Sequence, residues 1–235
     1  MQGIRTHDSL YLKENRKQTP KEYFKFIVKE AAPFIENIDK PSILDVGCAT
    51  GDFLWYLSGL YPSVKFTGLD VMPELIERAK KEVPTANFIL GNINTAEGLP
   101  SGKFDAVFML GVHSIFDDFE PCFNNFLKLI KDGGRGYIFG IFNPSDLDVL
   151  VKARRSGDNG AWEAGWNLFS KRTVSKFLED RSYAHTFKDW AIAIDLPPNP
   201  QDHLRSWTFR LADGSRMIVN GMQLLHYFSL LEIGV

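Results

Sequence analysis

The sequence predicts an α/β protein built on a doubly wound, mostly parallel sheet, and three observations predict it. Short apolar segments alternate with helical ones from residue 41 to about residue 142. Those segments are too apolar to leave one face wet, as expected of strands covered by helices on both sides. One of them also ends in an acid, turns through glycines and enters a helix, the arrangement that places a ligand at the carboxyl end of a strand in an open sheet.

The first element is a helix. Thr19-Pro20 has the form of an N-cap followed by proline at the first helical position, and Tyr23, Phe24, Phe26, Ile27 and Ala31 recur at helical spacing. Beyond Pro41, strands are expected at 42–46, 64–69, 87–90, 104–110 and 135–142, with helices at 53–60, 73–81 and about 119–130. After Asn143-Pro144 the texture changes: a helix is expected at 147–154, then a Gly/Trp-rich stretch at 157–166, then a helix opened by Ser170 and running to Leu178. Segments 190–196, 206–211, 216–219 and 226–233 read as strands, and Ala212-Asp213-Gly214 as a hairpin turn between two of them. The C-terminal part is therefore expected to add antiparallel strands to the parallel sheet.

Composition narrows the function classes. The 235 residues are 44% hydrophobic and 24% charged, the balance of a globular chain long enough to bury a core without disulfide or metal staples. Twenty-seven Lys and Arg against 29 Asp and Glu leave a charge of −2, with no basic surplus for a nucleic acid. The densest basic cluster, Lys152, Arg154 and Arg155, reads as a solvated helix end. Cys48 and Cys122 have no metal or disulfide spacing, so no metal is expected and a reducing compartment is. The N-terminus lacks an apolar leader, and no apolar run approaches the roughly 20 residues of a membrane helix. The expectation is a cytoplasmic protein with no membrane or nucleic-acid partner.

The chemistry is concentrated in Ile43-Leu44-Asp45-Val46-Gly47-Cys48-Ala49-Thr50-Gly51-Asp52-Phe53. Glycines after a strand let the backbone approach a ligand with no Cβ between them. A dinucleotide loop would read G-x-G-x-x-G. Here Asp45 instead puts a carboxylate where a pyrophosphate would sit, which repels phosphate and suits a cation. A nucleotide-dependent oxidoreductase is thus the weaker alternative.

The spacing D-x-G-x-x-x-G resembles the first motif of class I S-adenosylmethionine-dependent methyltransferases, with Ala49 where that family usually has its middle glycine. The resemblance continues in order from 42 to 142. Asp70 ends the second strand as the acid expected to accept both ribose hydroxyls, and Val71 and Met72 would pack near the adenine. Asn92, followed by Ile93, stands where the family hydrogen-bonds the adenine amino group. Leu110 and Gly111 end the fourth strand beside the cofactor, and Gly133-Gly134 occupies the family's turn before the fifth.

The resemblance implies a Rossmann-like seven-stranded, mostly parallel sheet with an antiparallel C-terminal strand and a hairpin insertion. Residues 1–40 would be a helical cap, and 41–235 one domain with substrate-side insertions at 144–182 and 196–222. The cofactor would be S-adenosylmethionine, with S-adenosylhomocysteine as product, held by Asp45, Gly47, Cys48, Ala49, Thr50, Gly51, Asp70, Val71, Met72, Asn92, Ile93 and Leu110. The methyl group would go to a small-molecule or glycan-like acceptor, most simply at oxygen; the saccharide reading comes from Asp195-Leu-Pro-Pro-Asn-Pro200, which resembles tails of methyltransferases of bacterial surface-polysaccharide synthesis. Met109-Leu110-Gly111-Val112 lacks the Asn/Asp-Pro-Pro-Tyr signature of nucleobase methylation. A non-catalytic S-adenosylmethionine-binding regulatory or assembly protein is the alternative from another class.

His113, three residues beyond Leu110, is the candidate general base, expected to emerge near the transferred methyl group. His7, His185, His203 and His226 have no comparable place and read as structural. Trp162, Trp166 and Phe169 are candidates for an aromatic lid, with the segment from His7 to Tyr11 closing from the other side.

Overall fold

The computed structural model describes residues 8–13, 17–157, 159–199, 202 and 204–235; His7 and His203 lie outside the described residues. A 3-10 turn at Asp8–Lys13 precedes helix α1, Glu22–Ile35. Phe24, Ile27, Val28, Ala31 and Ile35 form its buried stripe, the 3–4 spacing that lays a helix on a sheet. The helix opens later than the sequence suggests, with Lys21 rather than Thr19 at its N-cap.

The elements that follow are β1 Ser42–Val46, α2 Asp52–Leu60, β2 Lys65–Asp70, α3 Pro73–Glu82, β3 Asn87–Leu90, β4 Phe104–Leu110, α4 Glu120–Lys128 and β5 Ile130–Asn143. After them come β6 Lys152–Ala153, β7 Glu163–Ala164, β8 Phe169–Ser170, α5 Lys171–Glu179, β9 Ala184–Trp190, β10 Trp207–Arg210, β11 Arg216–Val219 and β12 Phe228–Gly234.

The main sheet has the order β3-β2-β1-β4-β5-β12-β9, with β8 paired to the end of β5. Strands β1 to β5 pair in parallel, and β12 runs antiparallel to both β5 and β9. The resemblance implies an antiparallel C-terminal strand, and β12 is that strand, lying one place in from the edge strand β9. Alternate residues of the central strands feed two cores. Leu44, Val107 and Ile138 face one side with Phe123, Phe126 and Phe142, while Ile43, Phe108 and Tyr137 face the other with Ile27, Leu54 and Leu57.

Three expected elements differ. Residues 147–154 form no helix: Leu147 and Leu150 are 61% and 55% exposed, so no apolar stripe supports one. Lys152 and Ala153 pair instead with Ala164 and Glu163 as the two-stranded β6–β7. Strand β5 starts at Ile130 rather than 135, because Gly133 at φ +76 lets the chain bulge without leaving the sheet. The strand expected at 190–196 lies at 184–190, since seven pairs with β12, from Ala184–Gly234 to Trp190–Phe228, set its register. The Ser170 cap and the hairpin β10–β11 stand as read: Ser170 Oγ accepts from the Arg172 N–H at 3.1 Å, and Trp207 to Arg210 pair with Val219 to Arg216. Among the described residues no helix is long and apolar enough to cross a membrane, and no group of three or more His, Cys, Asp or Glu is placed to hold a metal.

Candidate active site

Strand order reverses between β1 and β4, the switch point at which open α/β sheets bind ligands. A cavity of about 620 Å³ opens there. Its floor is Asp45 to Ala49 after and within the end of β1, Asp70 to Met72 after β2, Gly91 to Ile93 after β3, and Leu110 to Val112, Ile115 and Phe116 after β4. Its outer wall is Asp8, Tyr11, Lys21 and Tyr23 on one side and Lys152, Trp162, Glu163 and Ala164 on the other.

The β1–α2 turn is tied to β2 by the Gly47 and Cys48 N–H groups, which both donate to Leu69 O at 2.7 and 3.0 Å. Gly47 has φ +74, and a Cβ there would lie 2.3 Å from Val112 Cγ2, so glycine is required both by conformation and by space. Ala49 also takes a positive φ, +47, unusual for a residue with a Cβ. Its N–H donates to Asp70 Oδ2 at 2.8 Å, a charge-assisted bond that holds it in place. This explains how the loop does without the family's middle glycine.

Asp70 is nearly buried. Its Oδ1 accepts from the Met72 N–H at 3.0 Å, so each carboxylate oxygen takes a backbone bond. Burial pushes its pKa up, against the pull of the Met72 and Ala49 N–H groups. Asp45 is fully buried and its Oδ1 has no hydrogen-bond partner. Burial, and then the neighbouring Asp70 charge, lift its pKa to about 8. A buried carboxylate oxygen without a partner, a glycine cradle and a second carboxylate lining the same cavity together suit a ligand that carries a cation and hydroxyl groups.

Residues 43–134 match the family model of a methyltransferase domain. In sequence they are similar to a methyltransferase domain, and the chain shares the Rossmann-like fold of class I S-adenosylmethionine-dependent methyltransferases. Malonyl-[acyl-carrier protein] O-methyltransferase 1 of Ilyobacter polytropus is 32% identical over 97 residues, 40% of this chain and 35% of that protein. Demethylmenaquinone methyltransferase of Chlorobaculum tepidum is 34% identical over 113 residues, 47% of this chain and 45% of that protein. The chain thus spans less than half the length of these curated relatives. Among solved structures, the DhpI-SAM-HEP complex superposes with a TM-score of 0.58 at 15% identity, covering 97% of this chain and 94% of that one. An S-adenosylmethionine-dependent methyltransferase from Clostridium acetobutylicum gives 0.59 at 11% identity, covering 97% and 96%. These two share the fold.

Asp45, Gly47, Cys48, Ala49, Asp70, Val71, Met72, Asn92, Ile93 and Leu110 all line the cavity. Thr50 and Gly51 do not. Thr50 is buried, and Gly51 backs onto Val83 and Phe88, where a Cβ would find atoms at 3.1 and 3.2 Å. Asn92 Oδ1 accepts from the Asn94 and Thr95 N–H groups at 2.9 and 3.3 Å. Its oxygen is thus engaged in the turn, and the group it offers a ligand is the NH₂ donor.

His113 corrects the sequence expectation. The chain turns back through a 3-10 turn at His113–Ile115, so Ile115 and Phe116 reach the cavity and the imidazole goes into the core. The ring is fully buried, stacked on Phe142 at 4.5 Å, with Nε2 3.2 Å from Ile141 O. It fills the space over Gly140, where a Cβ would lie 2.4 Å from Cε1. Burial lowers its pKa to about 4. Glycine inside a strand is the sequence signal for such a close approach. His113→Ala should therefore cost about 2–4 kcal/mol of stability by opening a core cavity, with affinity for S-adenosylhomocysteine within about twofold of wild type; thermal unfolding and calorimetry check the pair.

Of the lid residues, Trp162 and Tyr11 line the cavity. Trp166 donates from Nε1 to Leu204 O at 3.2 Å, and Phe169 packs on Phe119 at 4.9 Å in the core. Lys21, Tyr23, Ile115 and Phe116 are lining residues that sequence reading missed. Lys21 and Tyr23 lie at the start of a helix whose periodicity reports only its packing.

Proposed function

We propose that the protein transfers a methyl group from S-adenosylmethionine to an oxygen atom of a small-molecule acceptor. The observation that carries this reading is the convergence of Asp45, Gly47 and Asp70 on one cavity, with the carboxylates on either side of the glycine turn. In this reading Asp45 faces the ammonium of the cofactor, Asp70 takes the ribose hydroxyls, and Val71 and Met72 flank the adenine. S-adenosylmethionine supplies, when bound, a methyl group on a sulfonium that is already a good leaving group.

The chain's own task is then to hold the acceptor oxygen in line at about 3–3.5 Å and to exclude water. An acceptor oxygen that is already anionic, such as a carboxylate or acidic phenol, would need no proton removed, and Lys21 in the wall would suit it. Lys21 and Lys152 line the outer wall, the first with its ammonium over the Tyr11 and Tyr23 rings and the second paired with Asp117. The names of the relatives support a small molecule over a saccharide: one acts on malonyl-[acyl-carrier protein], one on demethylmenaquinone, and a third, 25% identical over 114 residues, on trans-aconitate in Afipia carboxidovorans.

Calorimetric titration with S-adenosylmethionine and S-adenosylhomocysteine, with NADH as control, tests the reading. Micromolar binding of the first two alone is expected, and binding of neither would overturn it. Transfer of labelled methyl to a panel of carboxylic acids, phenols and alcohols follows. Binding without transfer to any of them would favour the non-catalytic reading. Asp70→Ala should weaken S-adenosylhomocysteine by about 1.5–3 kcal/mol, or roughly 10- to 150-fold, the worth of hydrogen bonds to a charged group.

A further inference from the structure

The floor and the outer wall of the cavity come from distant parts of the chain, and one buried side chain joins them. Asn167, just before β8, is fully buried. Its backbone N–H donates to Ser114 O at 2.7 Å, and its Oδ1 accepts from the Val151 N–H at 2.7 Å. Its Nδ2 donates to Phe116 O at 2.8 Å and to Asp117 Oδ1 at 3.2 Å. Asp117 pairs in turn with Lys152 at 2.6 Å.

Ser114, Phe116 and Asp117 belong to the loop between β4 and α4, whose Phe116 lines the floor; Val151 leads into β6, whose Lys152 lines the wall. Strands β6 and β7 share two residue pairs, extended by the Gly165 N–H to Val151 O bond and the Val149–Leu168 bridge, and the ribbon breaks its ladder at Val151, where Asn167 supplies the missing acceptor. A carboxamide suits this junction because one planar head offers an acceptor and two donors. Aspartate would set a negative oxygen against the Phe116 carbonyl and Asp117, and an apolar side chain would leave the part-buried Val151 N–H without its partner.

We infer that Asn167 is a positioning residue for the acceptor, holding the β6–β7 wall at its working distance from the cofactor floor. It lines neither half of the cavity. This rests on the methyltransferase reading of the cavity. Acceptor placement depends on Asn167, and cofactor binding does not.

The test compares wild type, Asn167→Asp and Asp117→Asn by titration with S-adenosylhomocysteine, hydrogen exchange, and fluorine NMR of 5-fluorotryptophan-labelled protein, with the Trp162 signal assigned through Trp162→Phe. Expected for Asn167→Asp is affinity within about threefold of wild type, at least about tenfold faster exchange of the Val151 and Gly165 amides, and a shifted or broadened Trp162 signal. Asp117→Asn keeps the Val151 bond and should move the Trp162 signal less.

Unchanged local exchange and an unchanged Trp162 signal in Asn167→Asp overturn the inference. So does faster exchange throughout the main sheet with a parallel loss of affinity, which would mark a merely structural role. Should Asn167→Asp fail to fold, an unmoved Trp162 signal in Asp117→Asn overturns it, and a moved one supports it. If wild type does not bind S-adenosylhomocysteine, the cavity reading fails, while exchange in the ligand-free proteins still decides whether Asn167 holds the wall.

Discussion

Asp45→Asn should make the ligand-free protein more stable and the cofactor far weaker. Asp45 is fully buried with an unpartnered oxygen, and burial with the Asp70 charge lifts its pKa to about 8. An unfolded aspartate ionises near its ordinary value of 3.8. Between these values the folded chain holds a proton that the unfolded chain has lost, so stability falls as pH rises from about 4 to 8. Removing the ionisable group abolishes that slope. The gain at pH 8 is on the order of a few kcal/mol, or roughly 5–10 °C in Tm for a chain of this size.

The same change removes the negative charge opposite the proposed ammonium, with an expected loss of at least about 30-fold in S-adenosylmethionine affinity. In wild type that affinity should rise with pH up to about 8, as the Asp45 proton is displaced. Stability and affinity moving in opposite directions would mark a residue kept for its ligand. If Asp45→Asn lowered both, the residue would be structural. The window from pH 6.5 to 8 isolates the effect from the buried histidines: His113 and His226, each lowered by burial to about 4, stay neutral in the fold. Their contribution is complete above about 6.5 and is lost as pH falls toward 4.

Gly47→Val should reduce S-adenosylhomocysteine binding by at least about 100-fold. Two penalties combine: a β-branched residue at φ +74 and a Cβ 2.3 Å from Val112 Cγ2. Relief of either moves the Gly47 and Cys48 N–H groups off Leu69 O or pushes Val112 into the cavity. Gly133→Ala is the control, since Gly133 has φ +76, open space around it and no part in the cavity. It should cost about 1 kcal/mol of strain and leave binding unchanged. Equal losses in the two variants would mean that backbone strain, and not the shape of the turn, explains the effect.

Much of the cavity floor was legible because its geometry is local. Asp45, Gly47 and Ala49 lie on one turn, where strand end, glycine and helix start follow one another within a few residues. Asp70, Asn92 and Leu110 end neighbouring strands, so reading the strands places them together. Thr50 and Gly51 lie behind the cavity because the turn faces two ways, and only its first half lines it.

The outer wall was not legible. The apolar residues of 147–154 have helical spacing but no surface to bury it on, and the segment pairs instead with β7, some ten residues on. His113 follows the right strand, but a 3-10 turn, Gly140 and the Phe142 ring took its imidazole inward. Asn167 carried no signal at all, because its partners at Phe116 and Val151 lie 51 and 16 residues away. Strand order, the acid-glycine turn and the cofactor half follow from periodicity and backbone conformation, which act over a few residues. The direction of His113, the placement of the β6–β7 wall and the role of Asn167 follow from packing and hydrogen bonds between distant segments, and these exist only once the chain has closed on itself.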